Sequence, residues 1–225
     1  PETIKAFNPD HVVVAVGANR DAPSIIGKDS NNVFDGEELR GLLFGSDLEA
    51  MKKLSLVQQI SLKIGKASQL LRNINALRFL SKLWMPLSKD IIIIGGDLVG
   101  LELAEFLVER GRKVKVLEPT GSLGPNLSIV RRSRVVHLLK EHGVDLLTNV
   151  EIKEIRGQEV FVHHEDMDKT FKMHQVIIAL GANPNLSLSR MLSKVNIQHT
   201  TIGDCASIGY IHGAIGDARK AVINL

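Results

Sequence analysis

A single cysteine, Cys205, stands in the whole 225-residue chain. Its isolation excludes an internal disulfide framework, a Cys-x-x-Cys redox pair and a cysteine-held iron–sulfur cluster carried by this sequence. It also points to a cytosolic compartment. No signal peptide opens the chain, and no apolar run approaches the ~18 uncharged residues of a membrane span. Internal repeats and low-complexity stretches are lacking as well. The hydrophobic share of 44% suffices for a real core in one large domain or two small ones. The histidines fall at no metal-ligand spacing, and the adjacent His163 and His164 are expected on opposite faces of a strand, in solvent. Acid is missing from one long segment: residues 51–89 carry eight basic side chains and no Asp or Glu. The remainder holds 20 basic against 25 acidic residues, a net −5, so the formal charge of +3 describes one segment and not the whole. No nucleic-acid partner is expected.

What is present is concentrated in DIIIIGGDLVGLELAEFLVERGRKVKVLE, residues 90–118. Ile91 to Ile94 form a β-branched run of the length of a buried parallel strand. Gly95 and Gly96 break it, and residues 98–110 carry apolar positions at helical spacing. Gly111 closes that helix, and residues 113–117 read as a second strand ending on Glu118. Strand, glycine turn, helix, strand and terminal acid within about 30 residues make a dinucleotide-binding βαβ unit. The turn aims helix N-terminal N–H groups at a pyrophosphate, and the acid can accept hydrogen bonds from a ribose diol. The plain alternative is a parallel α/β unit whose glycines serve only the turn. One residue departs from the fingerprint: its middle glycine is Asp97. A carboxylate there crowds and repels a diphosphate unless its side chain turns outward. Weakened affinity, a displaced nucleotide and a lost site all stay open.

Elsewhere, HVVVAV at 11–16 reads as a buried-type strand closed by Gly17 and Ala18, and residues 33–35 lead into a short helical stretch at 36–43. Residues 54–84 alternate three- and four-residue apolar steps (Val57, Ile60, Ile64, Ala67, Leu71), an amphipathic helix with a basic face. It either packs on protein with its lysines in solvent or lies on an anionic membrane surface. Residues 127–142 form a helix capped by Gly143, followed by a strand at 144–147. Short strands at 151–155, 159–164 and 170–173 read as a β-meander, and QVIIAL at 175–180 as another buried strand. Ile202, Gly203 and Asp204 end a short strand before a helix at 214–225. Asp204 suits a hydroxyl-rich chain such as ribityl, or else caps the following turn.

Read together, HVVVAVGA, QVIIALGANPN and IGDC resemble the paired strand–glycine crossings and the C-terminal flavin-binding Gly-Asp of the two-dinucleotide-binding flavoprotein superfamily, the pyridine nucleotide-disulfide oxidoreductase fold. Within it, Gly95, Gly96, Val99, Gly100, Glu102, Ala104, Glu105, Arg110, Gly111, Val116, Leu117 and Glu118 are similar to the pattern of NADH:flavin oxidoreductases related to 2,4-dienoyl-CoA reductase and trimethylamine dehydrogenase. Departures are Asp97 for Gly, Val16 for Thr, Arg20 for Pro, and the basic helical insertion.

The resemblance implies an α/β fold, a Rossmann-like parallel sheet with a small meander, partial FAD-domain segments and a helical insertion. The implied division is 1–35 for a partial FAD-domain segment, 36–89 for the insertion, 90–182 for the NAD(H)-binding domain and 183–225 for a C-terminal FAD-domain segment. Residues Gly95, Gly96, Asp97, Leu98, Val99 and Gly100 would hold the pyrophosphate of NADH, and Glu118 its ribose. Gly181 and Ala182 would lie near the nicotinamide, Gly17 and Ala18 at the FAD-domain junction, and Asp204 at the FAD ribityl-phosphate. An N-terminal flavin barrel and the start of the FAD domain would precede this region of a longer, homo-oligomeric protein that passes hydride from NADH to flavin and reduces an activated alkene. The separate chain is expected to turn over little. NADH is preferred to NADPH because Glu118 repels a 2′-phosphate and residues 119–125 contain no base, although Arg131 and Arg132 on the next helix stay in play. No catalytic acid, base or nucleophile and no metal is required, since the cofactors carry the chemistry. A disulfide-reductase-like enzyme is disfavoured by the lack of a cysteine pair. The rival of another class is a degenerate domain, closed by Asp97, that binds a membrane or partner. The location expected is cytoplasmic, with membrane-peripheral contact through 51–89 as the variant.

Overall fold

The computed structural model describes residues 2–19, 23–36, 38–39, 42, 51–54, 59, 85 and 87–223. Its elements run α1 (Glu2–Phe7), β1 (Val12–Val14), β2 (Ala18–Asn19), β3 (Val33–Asp35), β4 (Asp90–Ile94), α2 (Leu98–Val108), β5 (Lys113–Leu117), α3 (Ile129–Glu141), β6 (Asp145–Leu147), β7 (Glu151–Arg156), β8 (Glu159–His164), β9 (Met167–Lys172), β10 (Gln175–Ile178), β11 (Asn183–Pro184), α4 (Ser187–Lys194), β12 (His199–Thr201) and α5 (Tyr210–Ile223). The chain divides into two compact units, Ala22–Leu180 and a smaller one built from Pro1–Asp21 and Gly181–Leu225.

The larger unit is organised by a five-stranded sheet of order β3-β10-β4-β5-β6, with every pair parallel. Parallel sheets need cover on both faces, and β4 shows why its sequence is an unbroken isoleucine run. Ile91 and Ile93 point to one face with Leu101, Ala104 and Leu107 of α2 and Val135 and Leu139 of α3. Ile92 and Ile94 point to the other, against Ile155, Val160 and Val162 of the antiparallel β7-β8-β9 meander. Helix α2 buries Gly100, Leu101, Ala104, Leu107 and Val108, a stripe at helical spacing, and Gly111 at φ +69° ends it with the Arg112 N–H returning to the Leu107 carbonyl. Helix α3 starts on Ser128, whose side chain accepts from the Arg131 N–H, and stops at Gly143, φ +71°.

Residues 33–35, expected only to lead into a helix, form β3 at the sheet edge and pair with β10. They therefore belong to the larger unit, whose border lies at 21/22, whereas the expected first segment ran to residue 35. The third meander strand starts at Met167, three residues earlier than its apolar content indicates.

In the smaller unit β1 pairs in parallel with β12, and Val14, Leu192 and Cys205 form a small core with Ile4, Val12, Leu188 and Ile197 against it. HVVVAV is not the buried-type strand expected. Only Val14 is buried, while Val13 and Val16 are exposed. Helix α4 has no counterpart among the expected elements.

Most of the expected basic helix at 54–84 lies outside the described residues, as does Arg20. Of the lysines of the basic segment 51–89, Lys53 is tied down, its Nζ donating to Glu38 Oε1 at 2.5 Å and the Val33 carbonyl at 2.8 Å. No helix of the described residues is long and apolar enough to cross a membrane.

Candidate functional site

The site in the larger unit is the turn between β4 and α2, facing the end of β5. Gly95 sits at φ +114°, and a Cβ there would stand 2.5 Å from the Ala179 carbonyl oxygen. At Gly100 a Cβ would stand 1.9 Å from the Gly95 carbonyl oxygen, so α2 reaches the turn only because Gly100 lacks a side chain. The Gly95 N–H donates to the Leu117 carbonyl at 2.8 Å, which fastens the turn to β5.

Glu118, at the end of β5, is buried. Its Oε2 accepts from the Gly96 N–H at 2.5 Å and its Oε1 from the Thr120 N–H at 2.7 Å. Its backbone is fastened too: the Glu118 N–H reaches the Leu147 carbonyl, and the Val150 N–H reaches the Glu118 carbonyl. A carboxylate offers about four lone-pair sites, so two backbone donors leave Glu118 aimed and still able to accept from a ribose diol.

Asp97 adopts φ −92°, ψ −165°, ordinary extended backbone, so the missing glycine imposes no strain there. It occupies the N-cap position of α2, with the Leu101 N–H donating to its carbonyl, yet its side chain caps nothing. The carboxylate turns to the loop after β5, where Oδ1 accepts from the Asn126 N–H at 3.2 Å and Oδ2 from the Asn126 Nδ2 at 2.6 Å. That loop is seated on the turn by the Gly124 N–H donating to the Gly96 carbonyl at 2.8 Å. The N–H groups of Leu98, Val99 and Gly100 have no carbonyl within the helix and no capping side chain, the donor set an anionic pyrophosphate requires. Turn, donors and acid fit a dinucleotide.

Arg131 is committed elsewhere. Its guanidinium donates to both carboxylate oxygens of Glu105, at 3.3 and 2.5 Å, and lies 3.7 Å from Glu102. The hydrogen bond to Glu105 holds its pKa above the ordinary arginine value. Arg132 and Arg134 are exposed.

The other candidate residues lie in the smaller unit. Gly17 and Gly181 both take positive φ, +76° and +63°, and the two strand–glycine crossings meet as the antiparallel pair β2–β11, Pro184 opposite Ala18 and Asn183 opposite Asn19. Ala182 directly precedes β11. Gly181 and Ala182 thus share a unit with Gly17 and Ala18. Asp204 Oδ1 accepts from the Gly209 and Tyr210 N–H groups at 2.9 and 3.0 Å, which caps α5. Asp217, unremarked in the sequence, accepts from the Gly203 N–H at 3.1 Å. Cys205 is buried, its thiol directed at the Val14 and Ile202 carbonyls.

Two features escaped sequence reasoning. Asn126 carries no motif, and its only sign is the Gly-Pro loop before it. His164, expected in solvent, is buried with its Nδ1 2.9 Å from Lys169 Nζ, because the face of β8 it shares with Val160 and Val162 is covered.

Comparison with known proteins bears on the whole chain. The profile of the pyridine nucleotide-disulphide oxidoreductase family matches residues 2–218. A bilirubin reductase of Mediterraneibacter gnavus is 28% identical over 204 residues, covering 91% of this chain and 25% of that protein. An NADH oxidase of Thermoanaerobacter brockii is 25% identical over 216 residues, 95% of this chain and 28% of that one. The chain thus spans about a quarter of the length of these relatives. Among solved structures, a 2-naphthoyl-CoA reductase superposes with a TM-score of 0.72 at 23% identity, over 100% of this chain and 28% of that one.

Proposed function

The chain belongs to the pyridine nucleotide-disulphide oxidoreductase family, and we propose that its Ala22–Leu180 unit is the NADH-binding domain of an FAD-dependent oxidoreductase. The observation that carries this reading is the open N-terminus of α2 beside the buried, backbone-fastened carboxylate of Glu118. When bound, NADH supplies a hydride and FAD accepts it. This chain's residues do the holding. The N–H groups of Leu98, Val99 and Gly100 bind the pyrophosphate, and Glu118 accepts from the adenosine ribose.

The same geometry favours NADH over NADPH. A 2′-phosphate beside Glu118 meets a carboxylate, residues 119–125 offer no cation, and the guanidinium of Arg131 is taken by Glu105. A relative named as an NADH oxidase supports that choice. Gly17, Ala18 and Asp204 are assigned to the FAD side, and Gly181 and Ala182, in the same smaller unit, to the nicotinamide end. In a protein of the relatives' length the electrons would pass through FAD to an activated alkene, a reading supported by the similarity to a bilirubin reductase.

Calorimetric titration of NADH, and separately NADPH, into the 225-residue chain tests the proposal. Saturable NADH binding is expected, at least about tenfold tighter than NADPH. Equal affinities would remove the role given to Glu118. Binding of neither nucleotide to the folded chain or to its folded Asp97→Gly variant would overturn the domain assignment.

A further inference from the structure

We infer that Asn126 is a positioning residue for the dinucleotide: its side-chain amide holds the Asp97 carboxylate off the N-terminus of α2 and so leaves the first-turn N–H groups to the pyrophosphate. This inference rests on the nucleotide-binding reading above.

Aspartate is among the strongest N-cap residues, and from the N-cap it ordinarily accepts from the backbone N–H two or three residues on. For Asp97 those donors belong to Val99 and Gly100. A carboxylate turned inward would occupy them and place a negative charge where the diphosphate must sit. In the structure it does neither. No side-chain cap forms, and each carboxylate oxygen accepts instead from Asn126, Oδ2 from the amide at 2.6 Å and Oδ1 from the backbone N–H at 3.2 Å.

Asn126 is itself held in place. The Gly124 N–H bonds the Gly96 carbonyl at 2.8 Å, and the Leu127 N–H returns to the Gly124 carbonyl at 3.1 Å. At Gly124, φ +57°, a Cβ would come within 2.8 Å of Leu127 Cδ1 and 3.0 Å of Leu101 Cδ1. The loop is therefore closely seated on the turn, and the amide is offered to Asp97 without reorganisation. Asp97 has two alternative sets of hydrogen-bond donors, one of which is the ligand's own. The short amide bond keeps the carboxylate on the other set. The charge at the middle fingerprint position is thereby accommodated by a partner 29 residues downstream, and the glycine is dispensable for the backbone, whose φ any residue adopts.

The test is a double-mutant cycle read by calorimetric NADH titration, with a second readout on the nucleotide-free chain. Asn126→Ala is expected to weaken NADH binding about tenfold, because the released carboxylate caps α2. Asp97→Gly is expected to bind at least as tightly as the parent, and Asp97→Gly/Asn126→Ala to match Asp97→Gly. A merely structural role for Asn126 would persist in the Asp97→Gly background, and an equal loss there would overturn the inference. So would unchanged affinity in Asn126→Ala, or a parent that fails to bind while Asp97→Gly binds, both of which leave the nucleotide site standing. If neither the parent nor Asp97→Gly binds, and both are folded by circular dichroism, the nucleotide reading falls and this inference with it. Without ligand, the amide-proton resonances of Val99 and Gly100 are expected to shift in Asn126→Ala as the cap forms, and not in the double variant. Resonances that stay in place would also overturn the inference.

Discussion

HVVVAV and DIIII look alike on paper, and the molecule treats them oppositely. The isoleucines of β4 lie between β10 and β5, with α2 and α3 over one face and the meander over the other, and all four are buried. In β1 only Val14 points into a core, while Val13 is 43% exposed. The helices repeat the contrast. α2 buries five residues, whereas α5 buries only Ala221 and leaves Ile211, Ile215, Val222 and Ile223 exposed. An apolar run records that a segment tolerates burial. Whether both faces are covered is decided by elements far along the chain.

The contrast is most sharply tested by truncation. Ile93→Ala, at a fully buried position, is expected to cost about 3–4 kcal/mol in urea unfolding. Val13→Ala should stay within about 0.5 kcal/mol. Similar costs would show that the two strands are buried alike.

A second pair compares glycines. Gly100→Ala forces a Cβ into the Gly95 carbonyl and is expected to destabilise by about 1–3 kcal/mol and to abolish NADH titration. Gly17→Ala meets open space and carries only the left-handed backbone penalty, about 1 kcal/mol. Its NADH isotherm should match the parent's.

Smaller still is Arg131→Met. Its ion pair with Glu105 is partly exposed and worth about 0.5–1 kcal/mol. The ratio of NADH to NADPH affinity should not move, since the guanidinium faces Glu105; a shift toward NADH would show that it reaches the ribose. The smallest effect belongs to the meander hairpin. Hydrogen bonding from Lys169, with charge from Lys169 and His164, holds the exposed Glu165 carboxyl below its ordinary pKa. The stabilisation is complete above that ordinary value and fades as pH falls through the lowered one. The melting-temperature gap between parent and Glu165→Gln should therefore be constant near neutrality and close only in acid.

The βαβ unit was legible because its determinants are local. β5 begins and ends where its alternating residues indicate, and α2 ends two residues early. β3 was not legible, since its partner β10 lies about 140 residues away and three residues carry no period. α4 holds three serines and has Leu186 at its N-cap, with the Ser187 N–H satisfied by Asn185 Oδ1 from one residue farther out, so neither composition nor the residue at the capping position announces it. α5 begins at Tyr210, φ +53°, because Asp204 caps it from six residues upstream, where a helical pattern shows no start. The same division runs through the site. Its glycines and Glu118 could be named from spacing, but the orientation of Asp97 depends on Asn126, a contact with no period to read.

Glu118 has a consequence for anyone redesigning cofactor choice. The usual route to accepting a 2′-phosphate is to exchange the strand-end acid for a small neutral residue. Here that exchange deletes the acceptor of both the Gly96 and Thr120 N–H groups, which would loosen the proposed pyrophosphate cradle while it widened the proposed ribose site. On the proposed reading, recognition and scaffold share one carboxylate, so a productive library would retain Glu118 and vary the exposed positions Pro119, Thr120 and Gly121 beside it.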